Sequence, residues 1–373
     1  MADIDIAEEI PLPAQQRPPV VTSGVIGWLR ANLFNSVFNT ILTILAVYLL
    51  VLTVPPLIRW MFIDAIWSAP NGQACRPGGQ EAGACWAFIG EKWRFIFFGR
   101  FPYDAQWRPL FVVVIIIGVI LASCDRRLWG RRLLLLWLAG LVAAGILMSG
   151  GVFGLRYVPT ELWSGLPLTL ILAVVAMLFA FPFAILLALG RRSKLPAVRI
   201  VSVAYIELVR GVPLITVLFM ASVMLPLFLP EGVTVDKLLR AQVAFILFAA
   251  AYLAEVIRGG LQAIPKGQIE AADALGLGYW RRTRLIVLPQ ALAMVIPPLV
   301  NNFIGAFKNT SLVLIIGLFD LLNTANTALT DSNWQGFASE TYVFVAAIYF
   351  CFCFFMSRYS QRLERTFNRG HRR

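Results

Sequence analysis

The chain has 373 residues, of which 59% are hydrophobic and only 14% charged, with a mean hydropathy of +0.76. Apolar runs of about 20 residues are what a helix needs to cross a bilayer core; several runs here meet or approach that length, so the composition points to an all-α integral membrane protein. A net charge of +12 would suggest nucleic acid in a soluble protein, but membrane proteins keep Lys and Arg in their cytoplasmic loops, and no nucleic-acid partner is expected.

Residues 1–37 begin "MADIDIAEEIPLPAQQRPPVV", acidic and then proline-rich, without the basic start of a signal peptide. They read as a disordered cytoplasmic tail, with the first span serving as an uncleaved insertion signal. Hydropathy then places about eight spans, at 38–58, 107–122, 133–149, 166–189, 209–228, 242–256, 292–318 and 342–356, the second and sixth being short. The first three form an N-terminal extension over 38–150, with a long outside loop near 60–106. A second block follows over 160–358, and 359–373 is a basic tail.

Charge placement orients the chain. The segments "RRLWGRR", "RRSKLPAVR", "RGGLQAIPKG" with "RRTR", and "RYSQRLERTFNRGHRR" fall on one side and, with the N-terminal tail, hold most of the 32 Lys and Arg. That side should be the cytoplasm, with both termini in it and membrane lipid around the spans.

Cys75 and Cys85, in "ACRPGGQEAGACW", fall in the first outside loop, where an oxidising compartment would let them pair; two free thiols in a loose loop is the other reading. Cys124, Cys351 and Cys353 sit in or beside spans as small core residues. Catalysis has little support. The only histidine, His371, lies in the basic tail, and no GxxxxGK[ST] phosphate loop occurs. Paired carboxylates at helical spacing within an apolar span are also missing. No metal or cofactor site is expected, and the chain reads as a non-catalytic solute pathway or a receptor.

Between the sixth and seventh spans runs "EAADALGLGYWRRTRLIVLP", from Glu270 to Pro289. "QIEAADAL" offers one or two helical turns with Ile269, Ala272 and Leu275 near one face. Glu270 lies in the first turn, where a carboxylate suits the helix dipole, and Gly276 and Gly278 supply a flexible stop. From physics alone this is either a docking handle for a partner or an inert interfacial helix.

The spacing of Glu270, Ala271 and Ala272, then Gly276, then Ile286, Leu288 and Pro289 resembles the EAA signature of ABC importer permeases. "YIELVRGVPLI" (205–215) and "FKNTSLV" (307–313) are similar to stretches in the polar amino acid branch of that family. The resemblance covers roughly 160–358 and implies a five-helix type I permease core preceded by three extra helices, as in the general L-amino acid permease subunits of Gram-negative bacteria. It further implies that Glu270, Ala271, Ala272, Gly276, Ile286, Leu288 and Pro289 couple the chain to a separate ATPase. That partner binds ATP and Mg, and this chain binds no cofactor. The implied partners are a second related permease, a dimer of the ATP-binding subunit and a periplasmic amino-acid-binding protein, all at the bacterial inner membrane.

Polar groups at membrane depth are expensive and usually face a bundle interior or a wet cavity. Glu207 and Arg210 are spaced to pair with each other or to snorkel, and Glu255 is spaced to pair with Arg258. Asn301, Asn302, Lys308, Thr310 and Ser311 form a polar stretch within the seventh span. It is either part of a translocation path or a structural network between helices. Pro297, Pro298 and Gly305 are positions where this span would break. The rival to the importer reading is a standalone secondary transporter or channel using the lone charges for ion coupling.

Overall fold

The computed structural model describes residues 24–76 and 83–368. Residues 1–23 of the expected tail, and the last residues of the basic tail with His371, lie outside the described residues. Within the described residues, seven helices are long and apolar enough to cross a membrane, and an eighth span is made if one sharply bent pair counts as one. The chain divides into two units, one comprising residues 24–66 with Gly83 and Ala84, the other residues 67–76 and 85–368.

In the first unit, α1 (Gly24–Asn32) forms where a disordered tail is expected. Its apolar residues Val25, Ile26 and Trp28 are exposed, and a turn follows in which the Thr43 hydroxyl donates to the Leu33 carbonyl at 2.9 Å. The side chain of Ser36 then accepts from Asn39 N–H and starts α2 (Val37–Ile58). This helix is apolar on every side and buries none of its residues, as suits a single span in lipid. Pro55 and Pro56 remove two ladder donors near its end. The backbone continues as a π turn over Arg59–Ile63 and closes on Ala84, whose N–H donates to the Trp60 carbonyl at 2.8 Å.

In the second unit, α4 (Trp107–Ser123) and α5 (Arg131–Ser149) form an antiparallel hairpin. At its far end Arg108, only 2% exposed, donates to the carbonyls of Leu147, Met148 and Arg156. A buried guanidinium thereby satisfies carbonyls that a helix end leaves without partners.

The centre of the bundle is the pair α6 (Gly165–Arg191) and α9 (Lys237–Gln262). Ala176, Ala180, Ala184 and Ala188 recur every fourth residue of α6, all fully buried, and Ala250, Ala251 and Ala254 of α9 are buried likewise. Small residues let helix backbones approach where lipid offers no hydrophobic drive for association.

Several expected boundaries shift. The segment 196–208, expected as a connection between spans, belongs to the amphipathic helix α7 (Pro196–Arg210), with Pro196 at its first turn. It meets the next segment, Leu214–Phe228, at 102°, and that segment opens as α8 (Leu214–Phe219). The sixth span is not short. Arg240, Glu255 and Arg258 depress its hydropathy, but each has a partner: Arg240 donates to the Ser222 carbonyl, and Arg258 grips Glu255. The last helix, α15 (Ala338–Asn368), likewise extends well beyond 342–356.

The loop expected outside holds a further helix, α3 (Trp86–Phe98), whose residues Phe88, Ile96 and Phe98 are buried. A disulfide joins Cys75 to Cys85, with Cα atoms 5.8 Å apart, and Glu340 at the start of α15 accepts from Cys85 N–H at 2.9 Å. The Lys92 Nζ–Asp331 Oδ2 ion pair at 2.6 Å holds the middle of α3, and beside the Lys92 ammonium the Asp331 carboxyl stays below the usual carboxylate range.

Candidate functional site

The stretch opened by Pro265 folds as α10 (Lys266–Ala274), α11 (Tyr279–Arg282), a π turn over Thr283–Val287, and α12 (Leu288–Met294). Three neighbours root α10 in the bundle. Ala272 is buried to 1% exposure, while Ile264 and the half-buried Ile269 join the core cluster that contains Ile257 and Leu261 of α9 and Val287 and Ala291 on the return path. Gln290 Nε2 donates to Gln268 Oε1 at 3.3 Å, and Arg282 Nη1 bonds both carboxylate oxygens of Asp273.

Gly276 ends α10 with φ +72°, its N–H donating to the Asp273 carbonyl at 2.9 Å. Only glycine takes that conformation without cost. Glu270 and Ala271 are exposed, Ile286 and Leu288 are half-buried, and Pro289 follows the π turn at the start of α12. Around them stand Leu275 at 78%, Trp280 at 71% and Leu285 at 64% exposure. The seven signature positions are therefore divided: Ala272 and the half-buried Ile286 and Leu288 fasten the loop, Gly276 turns it, and Glu270 and Ala271 are presented outward beside a row of bare apolar side chains. Of the three residues expected on one face, Ala272 and Ile269 pack inward and Leu275 does not.

The intramembrane charges gather on Glu255, near the α10 end of the bundle. Arg258 donates to both of its carboxylate oxygens, Arg191 Nη1 lies 3.0 Å from Oε1, and Arg210 Nη1 lies 3.6 Å from Oε2. Glu207 pairs with Arg191 at 2.8 Å. Glu255 and Arg258 thus pair at the spacing expected, whereas Glu207 and Arg210 meet through Arg191 and Glu255. Arg191 was legible only as one more loop cation, because its partners are 16 and 64 positions further along the chain (207 − 191 and 255 − 191).

Above this cluster lies a cavity of about 370 Å³ between α6, α8, α9 and α13 (Ile296–Asn309). Its polar lining is Asn301, Asn302, Asn309 and Tyr252, and its apolar lining includes Leu214, Phe245 and Phe248. Arg210 reaches its edge, with the guanidinium 5.5 Å from the centre of the Tyr252 ring. Lys308 is exposed and does not line the cavity; Thr310 and Ser311 lie beyond it in a 3₁₀ segment, Thr310–Ile316. The seventh span breaks at Val295, one residue before α13, with Pro297 and Pro298 in the first turn of the new helix, while Gly305 sits within unbroken α13.

Thr310 belongs to a buried polar cluster that the sequence reading did not assemble. Asp320, fully buried, caps α14 (Leu321–Ala328) by accepting from Asn323 N–H at 3.0 Å, and it also accepts from the Tyr349 hydroxyl at 3.0 Å. Burial pushes the Asp320 carboxyl up, against the pull of these donors. The two-residue strand β1 (Phe319–Asp320) pairs with Ser164 and Gly165, so one short segment ties α6, α14 and α15 together at the end opposite α10. Among the described residues no group of His, Cys, Asp and Glu is arranged to hold a metal ion.

Residues 180–369 match the family model for the binding-protein-dependent transport system inner membrane component. The inner membrane amino-acid ABC transporter permease protein YhdY of Escherichia coli is 50% identical, over 94% of this chain and 95% of its own. The glutamate/glutamine/aspartate/asparagine transport system permease protein BztC of Rhodobacter capsulatus is 40% identical, over 96% and 97% respectively. A crystal structure of an amino acid ABC transporter with histidines is 32% identical over 54% of this chain and 92% of that one, with a TM-score of 0.48. With half its length matched by the family model and a relative of half-identical sequence from end to end, the chain belongs to the family of binding-protein-dependent transport system inner membrane components.

Proposed function

We propose that this protein is the permease subunit of an ATP-binding-cassette importer that carries L-amino acids from periplasm to cytoplasm. It works with a second related permease, two copies of an ATP-binding subunit and a periplasmic amino-acid-binding protein. The observation that carries the reading is the loop from α10 to α12, which exposes Leu275, Trp280 and Leu285 outside every spanning helix. Bare apolar residues presented by a rooted loop mark a protein contact, and Glu270, Ala271 and Gly276 belong to the same loop. The relatives named above as amino-acid permeases supply the substrate class. The cavity suits that class, since the carboxylate and ammonium of an amino acid both find partners among three asparagine amides, with aromatic walls for the side chain.

In this reading ATP and Mg bind the partner, and both termini lie in the cytoplasm. Reporter fusions after Arg358 then read cytoplasmic and those after Ser332 periplasmic. The deciding experiment is purification from native membranes, followed by reconstitution with the retained subunits. A stoichiometric ATP-binding subunit and ATP-dependent amino acid uptake are expected. Uptake by the chain alone, driven by an ion gradient without ATP, would overturn the proposal.

A further inference from the structure

We propose that the arginine-rich cleft along the end of α15, beside the α4–α5 turn, is a binding site for the headgroup of an anionic phospholipid. The inference requires only that α4, α5 and α15 cross the membrane and is independent of the transported solute.

The placement of basic residues in short loops accounts for each segment separately, but the fold brings two distant segments together. Arg126, Arg127, Arg131 and Arg132 lie in and beside the α4–α5 turn, and Arg358, Arg362 and Arg365 lie along α15. Ser123 is the junction. Trp129 Nε1 donates to its carbonyl at 2.9 Å, the Tyr359 hydroxyl lies 3.5 Å from the same carbonyl, and Trp137 Nε1 donates to its hydroxyl at 3.1 Å. Aromatic rings with a polar edge favour the depth where headgroups meet acyl chains, so the junction sets the cluster at phosphate level.

The cleft itself is about 490 Å³ and is lined by Arg358, Gln361, Arg362, Arg365 and Thr366, which follow one another on a single face of α15. Acidic neighbours are few: the Asp125 carboxylate already accepts from Arg127 N–H, and Glu364 is exposed outside the lining. Guanidinium forks match phosphate oxygens two at a time. On the membrane side of the cluster, Leu134, Leu135 and Leu138 of α5 and Phe350 and Phe354 of α15 are exposed and offer an apolar bed for acyl chains. Basic clefts between spanning helices at this depth are suited to acidic lipid headgroups.

The test uses the purified, delipidated full chain, titrated with phosphatidylglycerol or phosphatidylcholine and read by native mass spectrometry. Phosphatidylglycerol should bind about tenfold more tightly or better. The Arg362→Gln/Arg365→Gln variant should bind it about 25-fold more weakly, at roughly fivefold for each basic residue removed from an anionic contact, with no change for phosphatidylcholine. Arg131→Gln/Arg132→Gln, beside the α4–α5 turn, should show the same selective loss even if the α15 variant folds poorly. Lys194→Gln/Arg199→Gln, which removes two exposed cations elsewhere, should retain wild-type affinity. Equal affinity for the two lipids, or equal loss in all variants, overturns the proposal. Displacement of the lipid by excess inorganic phosphate at constant ionic strength would make this a soluble-anion site instead. Unchanged lipid affinity with loss of the ATP-binding subunit in the α15 variant would make it a protein contact.

Discussion

Glu255→Ala removes the one acceptor shared by three guanidinium groups. The Glu255 side chain is 13% exposed, and its partners Arg191 and Arg258 are 22% and 27% exposed. Stripping one partner from a fully buried pair costs about 3–5 kcal/mol, because the remaining charge is left uncompensated. The three arginines are 22%, 27% and 36% exposed to water, and Glu207 continues to hold Arg191, so the cost here should fall to about 2–3 kcal/mol. Glu207→Ala is the internal control. Its side chain is 56% exposed, which limits its contribution to about 1 kcal/mol or less. Denaturant unfolding of the purified protein in detergent, followed by helical circular dichroism, measures both. Glu255→Gln should fall between them, since the amide still accepts one bond but carries no charge. If Glu255→Ala and Glu207→Ala differ by less than about 0.5 kcal/mol, Glu255 is not the hub and the charges act independently.

Three further outcomes follow from the geometry. Gly276→Asp places a side chain where no atom lies within 4 Å but φ is +72°; aspartate tolerates this conformation at about 1 kcal/mol, so the permease should insert normally while ATP-binding-subunit retention and uptake fall, and normal retention would return the loop to an inert interfacial helix. Cys75→Ser opens a disulfide of sequence separation 10, worth about 3 kcal/mol of loop entropy; thermal unfolding should register it while initial uptake rates change little. The Lys92–Asp331 pair lowers the folded-state pKa of Asp331, so its stabilisation is present above the unfolded carboxylate value near ~4 and is lost as pH falls through the folded value. Stabilities of wild type and Lys92→Met should therefore converge in acid and separate toward neutrality, and a gap independent of pH would refute the pairing.

What was legible in the sequence depended on whether a signal was local. Apolar runs of spanning length identify α2, α4, α5 and α6 to within a few residues, since every position in such a run votes the same way. The signature loop was legible because its glycine, prolines and small residues each have a backbone reason to stand where they do. Amphipathic helices were missed. In α7, only Ser202 and Ile206 are buried, and in α3 the buried face alternates with Glu91, Lys92 and Arg94, so neither segment's average hydropathy separates it from a loop. The sixth span was drawn too short for the opposite reason, because charged residues count against a span unless their partners are known. Asp320 gave no signal at all, its donors Asn323 and Tyr349 being brought to it by the fold.

The packing beneath the loop from α10 to α12 bears on how a push from the proposed ATP-binding partner would travel. A Cβ built on Gly260 of α9 would lie 2.5 Å from the Ala291 carbonyl of α12, so the two backbones touch with no side chain between them to absorb a displacement. Ile269 of α10 packs against the same cluster, which holds Ile257 and Leu261 of α9 with Val287 and Ala291. A load applied at Leu275 or Trp280 must then move α9 and α12 together, as packed elements shift between discrete arrangements. The break at Val295 separates α12 from α13, which packs mainly on α15 and α6 and only slightly on α12. Phe245, Phe248 and Tyr252 of α9 form one wall of the cavity, and Asn301, Asn302 and Asn309 of α13 form the other. Motion that carries α9 with the α10–α12 loop while α13 stays with α15 changes the distance between those walls. That is the change a solute site requires in order to open toward one side of the membrane at a time.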